Sequence, residues 1–147
     1  MSEESELSEA EVLGRLSFVT NARMEARASE AGLSIQQMRL LGILRDREPT
    51  INELTVHLGV DKSSVSGLVI RAERSGFVTR TQHEQDGRAV RVRLEPAGRA
   101  LIDAASSRFE SDVENTFAAL TGPERARWLA LTVRLLKAEA NERGLGL

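Results

Sequence analysis

The stretch that decides the fold runs from Thr50 to Arg74, TINELTVHLGVDKSSVSGLVIRAER. Thr50 followed three residues later by Glu53 is a capping box, so a helix starts there. Leu54 and Leu58 form an i, i+4 apolar pair on that short helix, Gly59 ends it, and Asp61 caps the next. Val65, Leu68 and Val69 mark the inward face of the second helix, while its first turns carry Lys62, Ser63, Ser64, Ser66 and Gly67. Two short helices joined at a sharp glycine turn make a helix-turn-helix, whose second helix lies in the DNA major groove with its N-terminal residues at base edges. Small hydroxyl side chains there allow a close approach and hydrogen bonds to phosphates or bases. A plain αα-hairpin shares the Leu-Gly-Val pattern, and Thr55, larger than the residue usual at such a helix crossing, speaks for that simpler reading.

Downstream of Gly76 the period of the pattern changes from 3.6 to 2. Phe77, Thr79 and Thr81 alternate with Val78, Arg80 and Gln82, and Val90, Val92 and Leu94 alternate with Ala89, Arg91 and Arg93. The runs are joined through His83-Glu84-Gln85-Asp86-Gly87, which ends in an Asp-Gly turn signal. The expectation is a small hairpin with a polar, arginine-bearing face. A basic hairpin directly behind a helix-turn-helix is a wing, and an arginine at its tip can enter the narrow minor groove. Arg88 is the candidate; Gly87 makes the turn, and Asp86 can aim the guanidinium through a bidentate pair. A generic turn and a solvated strand face account for these residues taken singly, but not for their place behind a recognition-like helix.

Upstream and beyond, further capping boxes stand at Ser8/Glu11, Ser34/Gln37 and Thr121/Glu124. Val12, Leu16, Val19, Ala22 and Ala26 form an amphipathic stripe on the first helix, whereas Ile35 to Arg45 is apolar nearly all round and belongs at the centre. Pro96 supplies a first-turn proline for a long helix bearing Leu101, Ala105, Phe109, Val113, Phe117 and Leu120. A last helix spans about Pro123 to Asn141, with Trp128 as a packing anchor.

The composition is that of one modest domain: 147 residues, 41% hydrophobic and 29% charged. The absence of cysteine excludes disulfides, thiolate metal sites and thiol redox sensing. Aromatics at 3% leave too few rings for a single-strand stacking platform. Five glutamates precede the first basic residue, with no apolar h-region, so the start does not read as a signal peptide, and no run is long enough to span a membrane; a cytoplasmic location is expected. The net charge of -2 speaks against nucleic acid, but it averages over two regions. Residues 1–14 carry five glutamates and no basic side chain, a local -5. Between Lys62 and Arg93 seven basic residues face Glu73, Glu84 and Asp86, a local +4.

The helix-turn-helix between long helices, followed by Ser75-Gly76-Phe77-Val78-Thr79-Arg80 and then Asp86-Gly87-Arg88-Ala89-Val90-Arg91-Val92-Arg93-Leu94-Glu95-Pro96-Ala97-Gly98, resembles the MarR family of bacterial transcription regulators. The resemblance implies a mainly α fold over 1–147, with a winged helix-turn-helix at about 34–95. Long helices at about 7–31 and 96–147 would form a dimerisation part. It implies a homodimer on pseudopalindromic double-stranded DNA, and repression relieved by a small aromatic or anionic ligand. Lys62 and Arg71 would bind phosphates or base edges, Ser63, Ser64 and Ser66 would hydrogen-bond, and Arg88 would enter the minor groove. Phe18, Met38, Arg39 and Phe109 lie on helices placed around the ligand, although plain core or surface roles suit them as well. The chain departs from the family at Gly67, where an Arg is frequent, at Ile70 and Ala72, and at Glu95, where a Thr normally caps. Gly67 leaves room for an alternative, a winged-helix dimer serving as a protein-interaction module with little DNA affinity. Nothing points to catalysis, a metal or another cofactor: His57 and His83 lack ligand spacing, and no phosphate-cradling glycine loop occurs.

Overall fold

The computed structural model describes residues 7–82, 89–142 and 144. Among these residues six helices and two paired strands follow in the expected order: α1 (Glu9–Glu30), α2 (Ile35–Ile43), α3 (Ile51–Leu58), α4 (Lys62–Arg74), β1 (Val78–Gln82), β2 (Val90–Leu94), α5 (Pro96–Phe117) and α6 (Gly122–Glu142). Ser8, Ser34 and Thr50 each form a complete capping box, and Asp61 accepts the Ser64 amide. At Thr121 the amide and the hydroxyl both donate to the Glu124 carboxylate. Gly59 adopts φ +66°, a left-handed conformation that lets the chain reverse between α3 and α4. Glu95 makes no side-chain cap bond, and Pro96 opens α5 instead.

The core gathers under α2, as its all-round apolarity requires. Leu40, Leu41, Leu54, Val65, Val69, Val92 and Ile102 are fully buried, joining α2, α3, α4, β2 and α5. Strand β1 pairs antiparallel with β2 from Val78↔Leu94 to Gln82↔Val90. On its other edge β2 meets the α2–α3 connection through a Thr50↔Arg91 bridge and a Val92 amide donating to the Pro49 carbonyl at 2.9 Å. The wing base is thereby tied to the entrance of the helix-turn-helix.

Two apolar features stay open to solvent in the single chain. The α1 stripe is not buried within the chain: Val12, Leu16 and Val19 are exposed, and Ala28, near the other end, is the buried residue of this helix. Trp128 packs edge-on against Phe117 with ring centroids 4.6 Å apart, yet it stays partly exposed. Both helices have an apolar face that the single chain leaves uncovered.

An ion cluster clasps α1 to α5. Arg27 forms two bonds of 2.7 Å with Asp112 and also pairs with Glu30, which Arg108 reaches at 3.2 Å. Arg23 donates to the Asp112 carbonyl and to Thr116 Oγ1. The Arg27 bonds hold the Asp112 and Glu30 carboxyls below their ordinary values of 3.8 and 4.5. A depressed carboxyl stabilises the fold above its unfolded value, and that contribution disappears as pH falls through the lowered folded value. Thermal stability is therefore expected to fall below about pH 4, and Asp112→Asn should flatten that acid limb in melts across pH. An unchanged limb would remove Asp112 from the clasp.

Candidate nucleic-acid interface

Helix α4 turns Val65, Leu68, Val69 and Ala72 into the core. By the 3.6-residue period, the line opposite them runs through Ser63, Gly67 and Arg74. Lys62, Arg71 and Arg74 are exposed on this helix, and none makes an ion pair among the described residues. Arg74 joins the expected pair of Lys62 and Arg71 on this helix.

The expected hydroxyls are differently disposed. Ser63 Oγ donates to Asp61 Oδ1 at 2.5 Å, and Ser64 Oγ donates to Asp61 Oδ2 at 2.6 Å. These bonds, with the Ser64 amide, hold the Asp61 carboxyl well below the usual carboxylate range. With its proton committed to Asp61, neither hydroxyl donates to a phosphate in this conformation. Ser66 is half-buried and forms no such bond among the described residues.

The strand arginines are also less free than their charges imply. Cross-strand pairing puts Arg91 and Arg93 on the face of Thr81 and Thr79, whereas Arg80 stands on the opposite face beside Val92. Arg80 pairs with Glu73 of α4 at 2.8 Å, Arg93 lies 3.6 Å from Glu95, and Arg91 Nη1 donates to the Glu48 carbonyl at 2.7 Å. The Arg80 pair braces the hairpin against α4, and the Arg91 bond ties it to the α2–α3 connection. The tip residues Asp86, Gly87 and Arg88, and His83, lie outside the described residues.

A small cleft beside the N-terminus of α4 is lined by Thr50, Ile51, Asn52, Lys62, Ala89 and Val90. It joins the N-terminus of α3, the lysine of α4 and the start of β2. Asn52 was not singled out in the sequence, because nothing in its own neighbourhood announces that α3 and β2 converge there.

A separate cavity of about 470 Å³ opens between α1, α2, α3 and α5. Met38, Arg39 and Phe109 line it, as expected; Phe18 is 82% exposed and does not join them. Met24, Gly42, Ile43, His57, Leu58, Ile102 and Ser106 complete the wall. Arg39 Nη2 donates to Asn21 Oδ1 at 3.1 Å. The periodicity of α5 already contained part of this wall, since Ile102, Ser106 and Phe109 share one helical face. Among the described residues, no group of three or more His, Asp or Glu side chains could hold a metal ion, and no helix is long and apolar enough to cross a membrane.

Residues 31–89 match the sequence model of the MarR family. The HTH-type transcriptional repressor YetL of Bacillus subtilis is 30% identical over 86 residues, covering 56% of this chain and 52% of the relative. Matches to the curated relatives span 39% to 52% of their lengths. The crystal structure of a MarR-family transcriptional regulator from Silicibacter pomeroyi superimposes with a TM-score of 0.75 at 29% identity, over 90% of this chain and 88% of that one. That of MarR itself gives 0.80 at 21% identity, over 98% and 99%. The family segment coincides with the helix-turn-helix and the start of the wing, and the flanking helices follow the fold of the solved MarR-family structures, so residues 31–89 form a MarR-like segment within a winged helix-turn-helix fold.

Proposed function

We propose that the protein is a sequence-specific double-stranded-DNA-binding transcription regulator, acting in the cytoplasm as a homodimeric repressor that a small ligand releases. The observation that carries this reading is the outer face of α4. It presents Lys62, Arg71 and Arg74 without ion-pair partners among the described residues, while the neighbouring strand arginines are committed to the protein itself. Unpaired cations on the exposed face of the second helix of a helix-turn-helix suit a polyanion laid along it. One solved structure of this fold, a MepR variant from S. aureus, is bound to an oligodeoxyribonucleotide (TM-score 0.61, 20% identity). Arg88, Gly87 and Asp86 keep their assignment as the minor-groove tip and its support. The domain division at about 34–95 belongs to the same proposal.

Dimerisation is supported by the uncovered apolar faces of α1 and α6, which are larger than isolated surface residues require. The ligand reading rests on the 470 Å³ cavity, whose mostly apolar wall carries Arg39, His57 and Ser106. That lining suits a small aromatic anion. Two structures of this fold hold such molecules: NadR with 4-hydroxyphenylacetate (TM-score 0.77, 19% identity) and a Mycobacterium tuberculosis MarR-family protein with salicylic acid (TM-score 0.70, 23% identity). A ligand wedged between α1, α2, α3 and α5 would release DNA by favouring one spacing of the two reading helices over another.

The test is fluorescence anisotropy on a randomised duplex across salt concentrations. Binding should weaken steeply with salt, and Lys62→Ala should reduce the slope of log K against log salt by about one per protomer. Salt-independent or absent binding would favour the protein-interaction alternative.

A further inference from the structure

Gly67 stands in the middle of the outward line of α4, where a side chain would be the first to meet a base edge. Its place is not empty. Arg71, one turn later, reaches back so that Nη1 lies 3.3 Å from where a Cβ on residue 67 would stand. Helical side chains lean toward the N-terminus, so residue i+4 naturally covers residue i. The Arg71 backbone lies to the flank of the helix, but its guanidinium is carried onto the central line between Ser63 and Arg74. Among the described residues Arg71 forms no ion pair, so none of their carboxylates occupies that guanidinium.

We infer that Arg71, seated over Gly67, is the base-reading residue of α4 and that its target is a guanine edge in the major groove. This rests on the DNA-binding reading above and assigns the specificity-determining contact within it. The bare backbone at Gly67 leaves a shallow seat into which the guanidinium reaches with Nη1, between the helix and the bases. A guanidinium matches guanine O6 and N7 with two parallel bonds, whereas an ammonium supplies charge without the fork. The glycine thus replaces a longer side chain at its own position by one borrowed from the next turn. Lys62 and Arg74 then serve the phosphates.

The test starts from duplexes that the wild-type protein enriches from a randomised pool. The enriched half-site should contain guanine, and replacing it with 7-deazaguanine, which lacks N7, should weaken wild-type binding about tenfold. Arg71→Lys should lose a similar tenfold preference for the enriched duplex over a scrambled one, with its salt dependence unchanged. Arg71→Ala should be insensitive to the 7-deazaguanine replacement. Gly67→Ala should show a smaller, few-fold loss of preference while its melting temperature rises, because alanine favours the helix and only the flexible end of Arg71 must move. A half-site without guanine, or wild-type preference in Arg71→Lys, overturns the assignment while leaving DNA binding intact. A wild-type protein that enriches nothing and shows no salt-dependent binding overturns the DNA-binding reading and this assignment together.

Discussion

Gly98→Ala is expected to destabilise the protein by about 3 kcal/mol, the upper range for overpacking. For a chain of this size that lowers the melting temperature by roughly 6–12 °C. A Cβ at position 98 would stand 2.3 Å from the Phe77 carbonyl oxygen, 3.0 Å from its carbon and 2.9 Å from Leu94 Cδ1. The Phe77 carbonyl cannot simply yield, because it accepts the Glu95 amide at 2.9 Å in the contact that continues the β1–β2 ladder into α5. The helix itself argues for the opposite sign, since alanine exceeds glycine in helix propensity by up to about 1 kcal/mol. The steric term wins because backbone, not a flexible side-chain end, stands in the way. That is the contrast with Gly67, where the same substitution meets only a guanidinium. Urea or thermal unfolding of the two variants should move in opposite directions, and a Gly98→Ala protein as stable as wild type would mean that α5 does not pack on the hairpin base this closely.

These two glycines show what a sequence discloses and what it withholds. Gly98 stands out in the Leu94-x-x-x-Gly98 pattern, but its reason is a carbonyl twenty-one positions earlier, visible only once the hairpin folds back. The helix starts were legible because a capping box is a local device, complete within four residues, and Gly59 was legible because the Leu-Gly-Val turn is local too. Tertiary decisions were not. The pattern of Ser63 and Ser64 puts them near the tip of the reading helix, yet Asp61 captures both hydroxyls at distances of 2.5 and 2.6 Å. Alternation along one strand does not say which partner residue lies opposite, so the register was needed to separate Arg80 from Arg91 and Arg93. Met38, Arg39 and Phe109 meet at one cavity as their helices suggested, while Phe18, on a helix of the same kind, points elsewhere. Periodicity identifies an apolar face; it does not identify what covers it.

That limit matters most for α1 and α6. Leu13 is 69% exposed, Phe18 82% and Leu135 71%, on the two helices that the single chain leaves bare. On the dimer reading these side chains are buried against a second copy, and the two α4 helices are held roughly 34 Å apart, one turn of duplex DNA. Leu135→Glu is then expected to yield monomers at concentrations where the wild type is dimeric, because two-fold symmetry would bring a carboxylate from each chain into an apolar interface without a partner. The fold of each protomer should tolerate the change, since Leu135 contributes little to the chain's own core. DNA affinity should fall at least about 100-fold, because each half-site would bind alone and lose the effective concentration supplied by its tethered neighbour. Sedimentation equilibrium reads the first effect and anisotropy on a selected duplex the second. A Leu135→Glu protein that sediments as a dimer and binds with wild-type affinity would take this face of α6 out of the interface. A folded monomer that binds as tightly as wild type would instead show that one reading helix suffices, and symmetry would then lose its role in recognition.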